Sequence, residues 1–410
     1  MRRFLAAFLA ALTVCALTGC GQTAQEPTET PGTVTEEPTE TPKEPELSPE
    51  EIAEQARLAA EEARRQRIRD YMDTMTLAEK VGQLFFVRCP ETDAVADIST
   101  YHLGGYLLFG RDYKDGESWL TKEQFVEKIQ NYQAASVLPL FIGSDEEGGT
   151  VTRASRNPNL FDAKFKSPQT LYSNGGLDAI IQDTMTKNMG LRELGINVNF
   201  APVCDVSTTP GDFIYDRSLG LDAETTAEYA AAVVEEMNSR TVGMVSVLKH
   251  FPGYGDNVDT HTGIAVDVRA YEEFLYYDFL PFQAGIGAGA PFVLVSHNIV
   301  ECMDADRPAS LSPEVHRILR EVCGFEGVVI TDDLAMEAVA AYAEDGAVAV
   351  MALQAGNDMI CTTDYRTQIP AVIKAVENGT LAESIIDDAC FRVLDCKDRY
   401  LSVPQFVNEQ

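Results

Sequence analysis

Short apolar or β-rich runs recur along this chain, and longer stretches with helical spacing separate them. The runs are Val81 to Arg88, Gly104 to Phe109, Leu138 to Gly143, Asn197 to Val203, Met244 to Leu248, Phe292 to Ser296, Gly327 to Thr331 and Asp358 to Cys361. Because they are apolar throughout instead of alternating, they predict strands buried on both faces. Amphipathic stretches such as Ala223 to Arg240 and Tyr271 to Ile286 predict the crossover helices between parallel strands. A doubly wound open sheet would show the same alternation, but the count of eight favours a closed (β/α)8 barrel, one domain over residues 71–402.

The N-terminal pattern is different. Arg2 and Arg3 precede an apolar run from Phe4 to Leu17 that is too short to span a bilayer comfortably, which predicts a secretory signal over residues 1–19. It ends in Leu17-Thr18-Gly19-Cys20, which resembles the bacterial lipobox. That resemblance implies acylation of Cys20 and an extracytoplasmic lipoprotein that touches the membrane through its lipid anchor alone. Residues 20–50 are mostly Thr, Pro and Glu and cannot bury enough apolar surface to fold, so they form an extended tether. Ser48-Pro49-Glu50-Glu51 has the features of a helix start, leading into a charged helix over residues 51–70.

Composition mainly excludes. A net charge of −32 over 410 residues opposes nucleic-acid binding, which depends on clustered Lys and Arg. Of the nine Cys, Cys15 and Cys20 lie in the leader and the other seven show no CxxC spacing, so neither a zinc site nor a full disulfide framework is indicated. Gly253-Tyr254-Gly255 lacks the third glycine of a dinucleotide fingerprint. No cofactor or metal is expected, and a monomer is.

Polar residues gather at the C-terminal ends of the runs: Asp145, Asp205, Lys249, His250, His297, Asn298 and Asp332. In a barrel these ends form one rim, where active sites of this fold lie, and a charge there is costly unless it faces a cleft. Three segments stand out within this set. They are Ser144-Asp145-Glu146-Glu147-Gly148-Gly149-Thr150-Val151-Thr152-Arg153, Lys249-His250-Phe251-Pro252-Gly253-Tyr254-Gly255-Asp256 and Ile330-Thr331-Asp332-Asp333-Leu334-Ala335-Met336. With Arg217-Ser218-Leu219-Gly220 and Asp306-Arg307-Pro308-Ala309-Ser310, the stretch from about Thr76 to Tyr400 resembles family 3 glycoside hydrolases, in particular their β-N-acetylglucosaminidase branch.

The resemblance implies that Asp332 is the nucleophile of a retaining mechanism and that Asp259 and His261, in an Asp-x-His loop, are the general acid/base dyad. From the residues alone Asp333 competes with Asp332, and a strand-end Asp can also be a helix cap. An imidazole suits the proton-shuttling role because its ordinary pKa, near 6.5, needs little adjustment. Asp145, Arg153, Arg217, Lys249 and His250 are implied to bind the sugar hydroxyls, while Glu147, His297 and Asp205 support them without an assigned role. The chain departs from the family pattern in having Tyr254 where His is common, and in a slightly shorter loop. Gly253 and Gly255 are candidate hinges for that loop.

The expected substrate is a glycan or muropeptide with terminal β-linked N-acetylglucosamine. Peptidoglycan fragments, chitin-derived sugars and other glycans all remain open. The alternatives are a β-glucosidase of the same family, whose usual second α/β domain this chain ends too soon to include, an N-acetylglucosaminide phosphorylase, and a lipid-anchored sugar-binding protein.

Overall fold

A computed structural model describes residues 47–255, 257, 265–336, 339, 342 and 347–406. The signal peptide, Cys20, most of the tether and the Asp259-Thr260-His261 loop lie outside the described residues. The chain divides into two units, Met1–Gln55 and Ala56–Gln410. In the first, Ser48 donates its backbone N–H to Glu51 and accepts from the Glu51 backbone at 3.2 Å, closing a capping box at the start of helix Pro49–Met72.

The second unit holds the barrel. Its eight parallel strands are β1 (Phe85–Arg88), β2 (Gly105–Leu108), β3 (Phe141–Ser144), β4 (Val198–Asn199), β5 (Val245–Phe251), β6 (Phe292–Val295), β7 (Val328–Thr331) and β8 (Ile360–Thr362). They pair in chain order with β1 also beside β8, and an Ile330–Met359 bridge joins β7 to the start of β8 and so closes the ring. All eight runs picked out by hydrophobicity overlap a strand, and the fold is a (β/α)8 barrel.

Two of the boundaries that differ from expectation do so for clear local reasons. The run beginning at Val81 starts inside helix Leu77–Gln83, because Thr76 and Glu79 form a reciprocal capping box that commits those residues to helical geometry. The run expected to stop at Leu248 continues as strand to Phe251, carrying Lys249 and His250 with it. A short parallel pair, Val266–Asp267 with Ile299–Val300, forms outside the barrel and had no hydrophobic signature.

Aromatic side chains fill the lumen. Phe86 and Phe141 stack at 6.0 Å, Phe200 meets Phe86 edge-on at 5.4 Å, and Phe292 meets Phe141 edge-on at 5.4 Å. Strands β3 and β6 are not neighbours, so rings that meet between them must lie inside the ring of strands. Space for them comes from Gly143, where an added Cβ would lie 2.7 Å from both Phe86 and Phe200. From helix Glu383–Leu401, buried Lys397 lies 5.2 Å from the Phe141 ring and donates to Gln83 at 2.6 Å. Burial lowers the Lys397 ammonium to about 7. We expect Phe86→Ala to destabilise the barrel by about 3–5 kcal/mol, read from the shift of the chemical denaturation midpoint, because the surrounding strands cannot collapse into the space left.

Candidate active site

The site is built where β3, β5 and β7 end. Three acids follow β3, and each is used differently. Asp145 faces Lys249 at 2.8 Å and Arg153 at 3.7 Å. Glu147, almost fully buried, meets Lys249 at 2.6 Å and takes the Arg217 guanidinium on both oxygens at 3.0 and 2.8 Å. Glu146 turns back into the protein, accepts the Ser155 hydroxyl and the backbone N–H groups of Arg153 and Ala154 at 2.9 and 2.8 Å, and holds the turn that presents Arg153. Burial raises the Glu146 carboxyl above its ordinary range, against these donors.

Successive side chains of a regular strand point to opposite faces, so Lys249 and His250 should not both reach one site. Strand β5 solves this with an irregularity. Leu248 pairs with Val293 and Phe251 with Val295, so Lys249 and His250 occupy a bulge one residue longer than the β6 segment opposite. The Lys249–His250 and Phe251–Pro252 peptide bonds are cis. His250 Nε2 lies 3.1 Å from Arg217 Nη2, and because a guanidinium only donates, this nitrogen is the acceptor. Nδ1 therefore carries the proton and donates to Asp205 at 2.7 Å.

Arg153, Asp145, Lys249, Glu147, Arg217, His250 and Asp205 thus form one continuous chain of polar contacts in which the carboxylates and cations alternate. Burial alone would raise the Glu147 pKa, but the positive charges of Arg217 and Lys249 outweigh it and hold the carboxyl far below its usual range. Charges this buried persist only when paired.

Asp332 follows β7 directly, and its backbone N–H donates to Val295 at the end of β6 at 3.0 Å. Its Oδ1 accepts the Asp333 N–H at 2.9 Å. Asp333, the rival in the sequence, is committed to the turn: it accepts from the Ala335 N–H at 3.0 Å and from the Thr363 N–H and hydroxyl at 3.2 and 2.9 Å. His297 donates from Nε2 to the Asp333 carbonyl at 3.1 Å and accepts the Ser310 hydroxyl at 2.7 Å, which supports the same turn. Burial, then the negative charges of Asp333, Asp332 and Asp145, push the Cys361 thiol of β8 well above its ordinary value.

Asp145, Arg153, Arg217, Lys249 and His250 are therefore brought together, with Glu147 and Asp205 as their partners. Asp259 and His261 lie outside the described residues. Sequence reasoning missed the capping role of Glu146. It also missed Arg88, which lies 4.2 Å over the Phe109 ring at the rim, a ring that Arg153 approaches at 5.6 Å. Neither has a sequence signal, since each depends on which neighbours the barrel supplies. A separate groove of 1080 Å³, lined by Arg65, Arg320, Arg392 and Asp387 among others, opens by the strand starts at Pro291 and Val328 and contains none of these residues.

Residues 76–396 match the family model described as the glycosyl hydrolase family 3 N terminal domain. The chain belongs to glycosyl hydrolase family 3. This family 3 glycoside hydrolase is 30% identical over 332 residues to beta-hexosaminidase LpqI of Mycobacterium tuberculosis, a match covering 78% of this chain and 82% of the relative. It is 32% identical over 278 residues to a beta-hexosaminidase of Nitrosomonas eutropha, covering 66% and 76% of the two chains. Among solved structures, a family 3 beta-N-acetylglucosaminidase from a Paenibacillus species matches with a TM-score of 0.73 at 30% identity. That match covers 80% of this chain and 63% of the other, less than two thirds of its length. The structure of M. tuberculosis LpqI matches with a TM-score of 0.70 at 30% identity, covering 80% and 95%.

Removing Glu147 would leave two buried cations without their shared partner. Glu147→Gln should cost about 3–5 kcal/mol at neutral pH, measured by chemical denaturation. Because the folded pKa of Glu147 is depressed, its contribution is present above its unfolded pKa of about 4.3 and lost as pH falls through the depressed folded value. The gap between variant and parent should therefore narrow in acid.

Proposed function

We propose that this chain is a retaining exo-β-N-acetylglucosaminidase that uses Asp332 as nucleophile and the Asp259–His261 dyad as general acid/base. The observation that carries the reading is position: Asp332 directly follows β7 and Asp145 directly follows the parallel strand β3, so both lie at the C-terminal rim of the barrel. Relatives named beta-hexosaminidase and beta-N-acetylglucosaminidase support the substrate class.

In this mechanism the sugar hydroxyls are held by Asp145, which accepts, and by Arg153, Arg217, Lys249 and His250, whose alternation with carboxylates keeps them oriented before substrate arrives. Asp332 attacks the anomeric carbon as His261 gives its proton to the departing oxygen, forming a covalent glycosyl-enzyme. Water then attacks the same carbon while His261 takes a proton from it, and the sugar leaves with its configuration retained. Asp259 orients the imidazole, as a carboxylate does in a serine protease triad.

We further propose that the enzyme is an extracytoplasmic lipoprotein held at the membrane through Cys20 and spaced from it by the tether. No described helix is long and apolar enough to cross a membrane. Cys20→Ala should move the protein from the membrane fraction to the soluble one, and an unchanged distribution would rule out the anchor.

Asp332→Ala should abolish turnover of a chromogenic N-acetyl-β-glucosaminide while the circular dichroism spectrum stays unchanged, and a fluorinated substrate should label the peptide that carries Asp332. Undiminished turnover would remove Asp332 from the mechanism. His261→Ala should lower kcat by roughly 10²- to 10⁴-fold on poor leaving groups and far less on activated aryl ones. Equal losses on both would contradict an acid role.

A further inference from the structure

Glu146 and Glu147 are gripped by their backbone as well as by their side chains, and the groups that grip them have no role in the mechanism above. Strand β3 ends at Ser144, which pairs with Asn199, the last residue of β4. The Phe200 N–H still reaches the Ser144 carbonyl at 2.9 Å, but past it the ladder is continued by a side chain. The buried Asn199 amide accepts the Glu146 N–H at 3.1 Å through Oδ1 and donates to the Glu146 carbonyl at 3.3 Å through Nδ2. One side chain thus satisfies both backbone groups of Glu146, as a neighbouring strand would.

The grip leads back to one helical stretch in the connection from β3 to β4, Pro168–Glu193, which is kinked at Gly175–Gly176. From its second half, buried Asn188 accepts the Asn199 amide at 3.0 Å and so fixes which way that amide faces. Turned over, the amide would set oxygen against oxygen at Asn188 and donor against donor at the Glu146 N–H. The adjacent Lys187, also buried, donates to the Glu147 carbonyl at 3.2 Å and pairs with Asp183 one turn earlier at 3.1 Å. Burial raises the Glu146 carboxyl, and the Lys187 charge is among the influences that oppose the rise. Where the acid segment ends, the Gly149 N–H donates to the Phe165 carbonyl at 2.9 Å. Gly148, at φ 101°, is pressed so close to Lys166 that an added Cβ would lie 2.1 Å from its carbonyl oxygen.

We propose that Asn199, Asn188 and Lys187 are positioning residues for the glycosidase reaction, holding the backbone of Glu146 and Glu147 so that Asp145 and Glu147 face Lys249 and Arg217. The inference rests on the reading of Asp145 and its partners as the sugar-binding set. The Glu146 N–H that Asn199 holds belongs to the peptide joining Asp145 to Glu146, and the carbonyl that Lys187 holds is that of Glu147 itself. A turn of the backbone between these two points would redirect both carboxylates at once. Misplacement by about 1 Å can cost on the order of 10² in rate, so residues that never touch sugar can still govern how it is held.

The test compares Lys187→Met, Lys187→Arg and Asn188→Ala with the parent, and Asp145→Ala in parallel, on aryl N-acetyl-β-glucosaminides of graded leaving-group acidity. Competitive inhibition by N-acetylglucosamine is measured alongside, since it reports how the sugar is held without any bond breaking. Lys187→Met should weaken that inhibition about tenfold and lower kcat/KM roughly 10²-fold, by the same factor for good and poor leaving groups. Lys187→Arg keeps a charged donor and should recover part of the loss. If Lys187→Met fails to fold, Asn188→Ala frees the Asn199 amide without leaving a buried charge unpaired, and should give the same uniform loss at smaller size. Folded variants whose inhibition and kcat/KM stay within about twofold of the parent, whatever their denaturation midpoint, would make these residues purely structural and overturn the proposal. A loss confined to poor leaving groups would overturn it too. If Asp145→Ala weakens inhibition while Lys187→Met and Asn188→Ala do not, the positioning role alone fails. If Asp145→Ala leaves inhibition unchanged, the sugar-site reading fails and the positioning role falls with it.

Discussion

The site depends on keeping a buried carboxylate ionised. Glu147 is out of water, and only the simultaneous presence of Lys249 and Arg217 makes its charge tolerable. Those two cations come from different parts of the barrel, one from the bulge of β5 and the other from the long loop between β4 and helix Ala223–Asn238. Glu147 therefore fastens both to the segment after β3, and Asp145 and His250 take their orientation from the same cations. Groups paired this way are held in one orientation by their partners, which is the physical condition for electrostatic preorganisation.

The same logic of distributed work appears among adjacent residues of one chemical type. Asp145, Glu146 and Glu147 are consecutive acids, yet one pairs with Lys249 and Arg153, one caps a turn and one neutralises two cations. Asp332 and Asp333 divide similarly, with Asp333 joining the ends of β7 and β8. Where two neighbours must both serve the site, as Lys249 and His250 do, the strand departs from regular pairing. Barrel geometry sets how often a side chain can face the rim, and bulges and turns change that only locally.

Much of this was legible in the chain. Eight apolar runs located the eight strands because a strand buried on both faces must be apolar over its whole length. The polar residues at their ends were legible for the converse reason, since Asp145, Lys249 and Asp332 interrupt or follow apolar runs where an unpaired charge would be costly. The start of β1 was misplaced because Val81 belongs equally well to a strand or to a buried helix face, and the Thr76–Glu79 cap decided it.

The sequence by itself determined the order of strands and helices, the rim on which chemistry is placed, and the types of residue available there. Periodicity and burial act within short stretches of chain, so they can be read there. Tertiary structure alone decided which acid pairs with which cation. Lys249 and Asp145 are separated by 104 positions, and Arg217 and Glu147 by 70. Electrostatic pairing acts through space, at distances set by barrel closure, so nothing local to either residue records its partner.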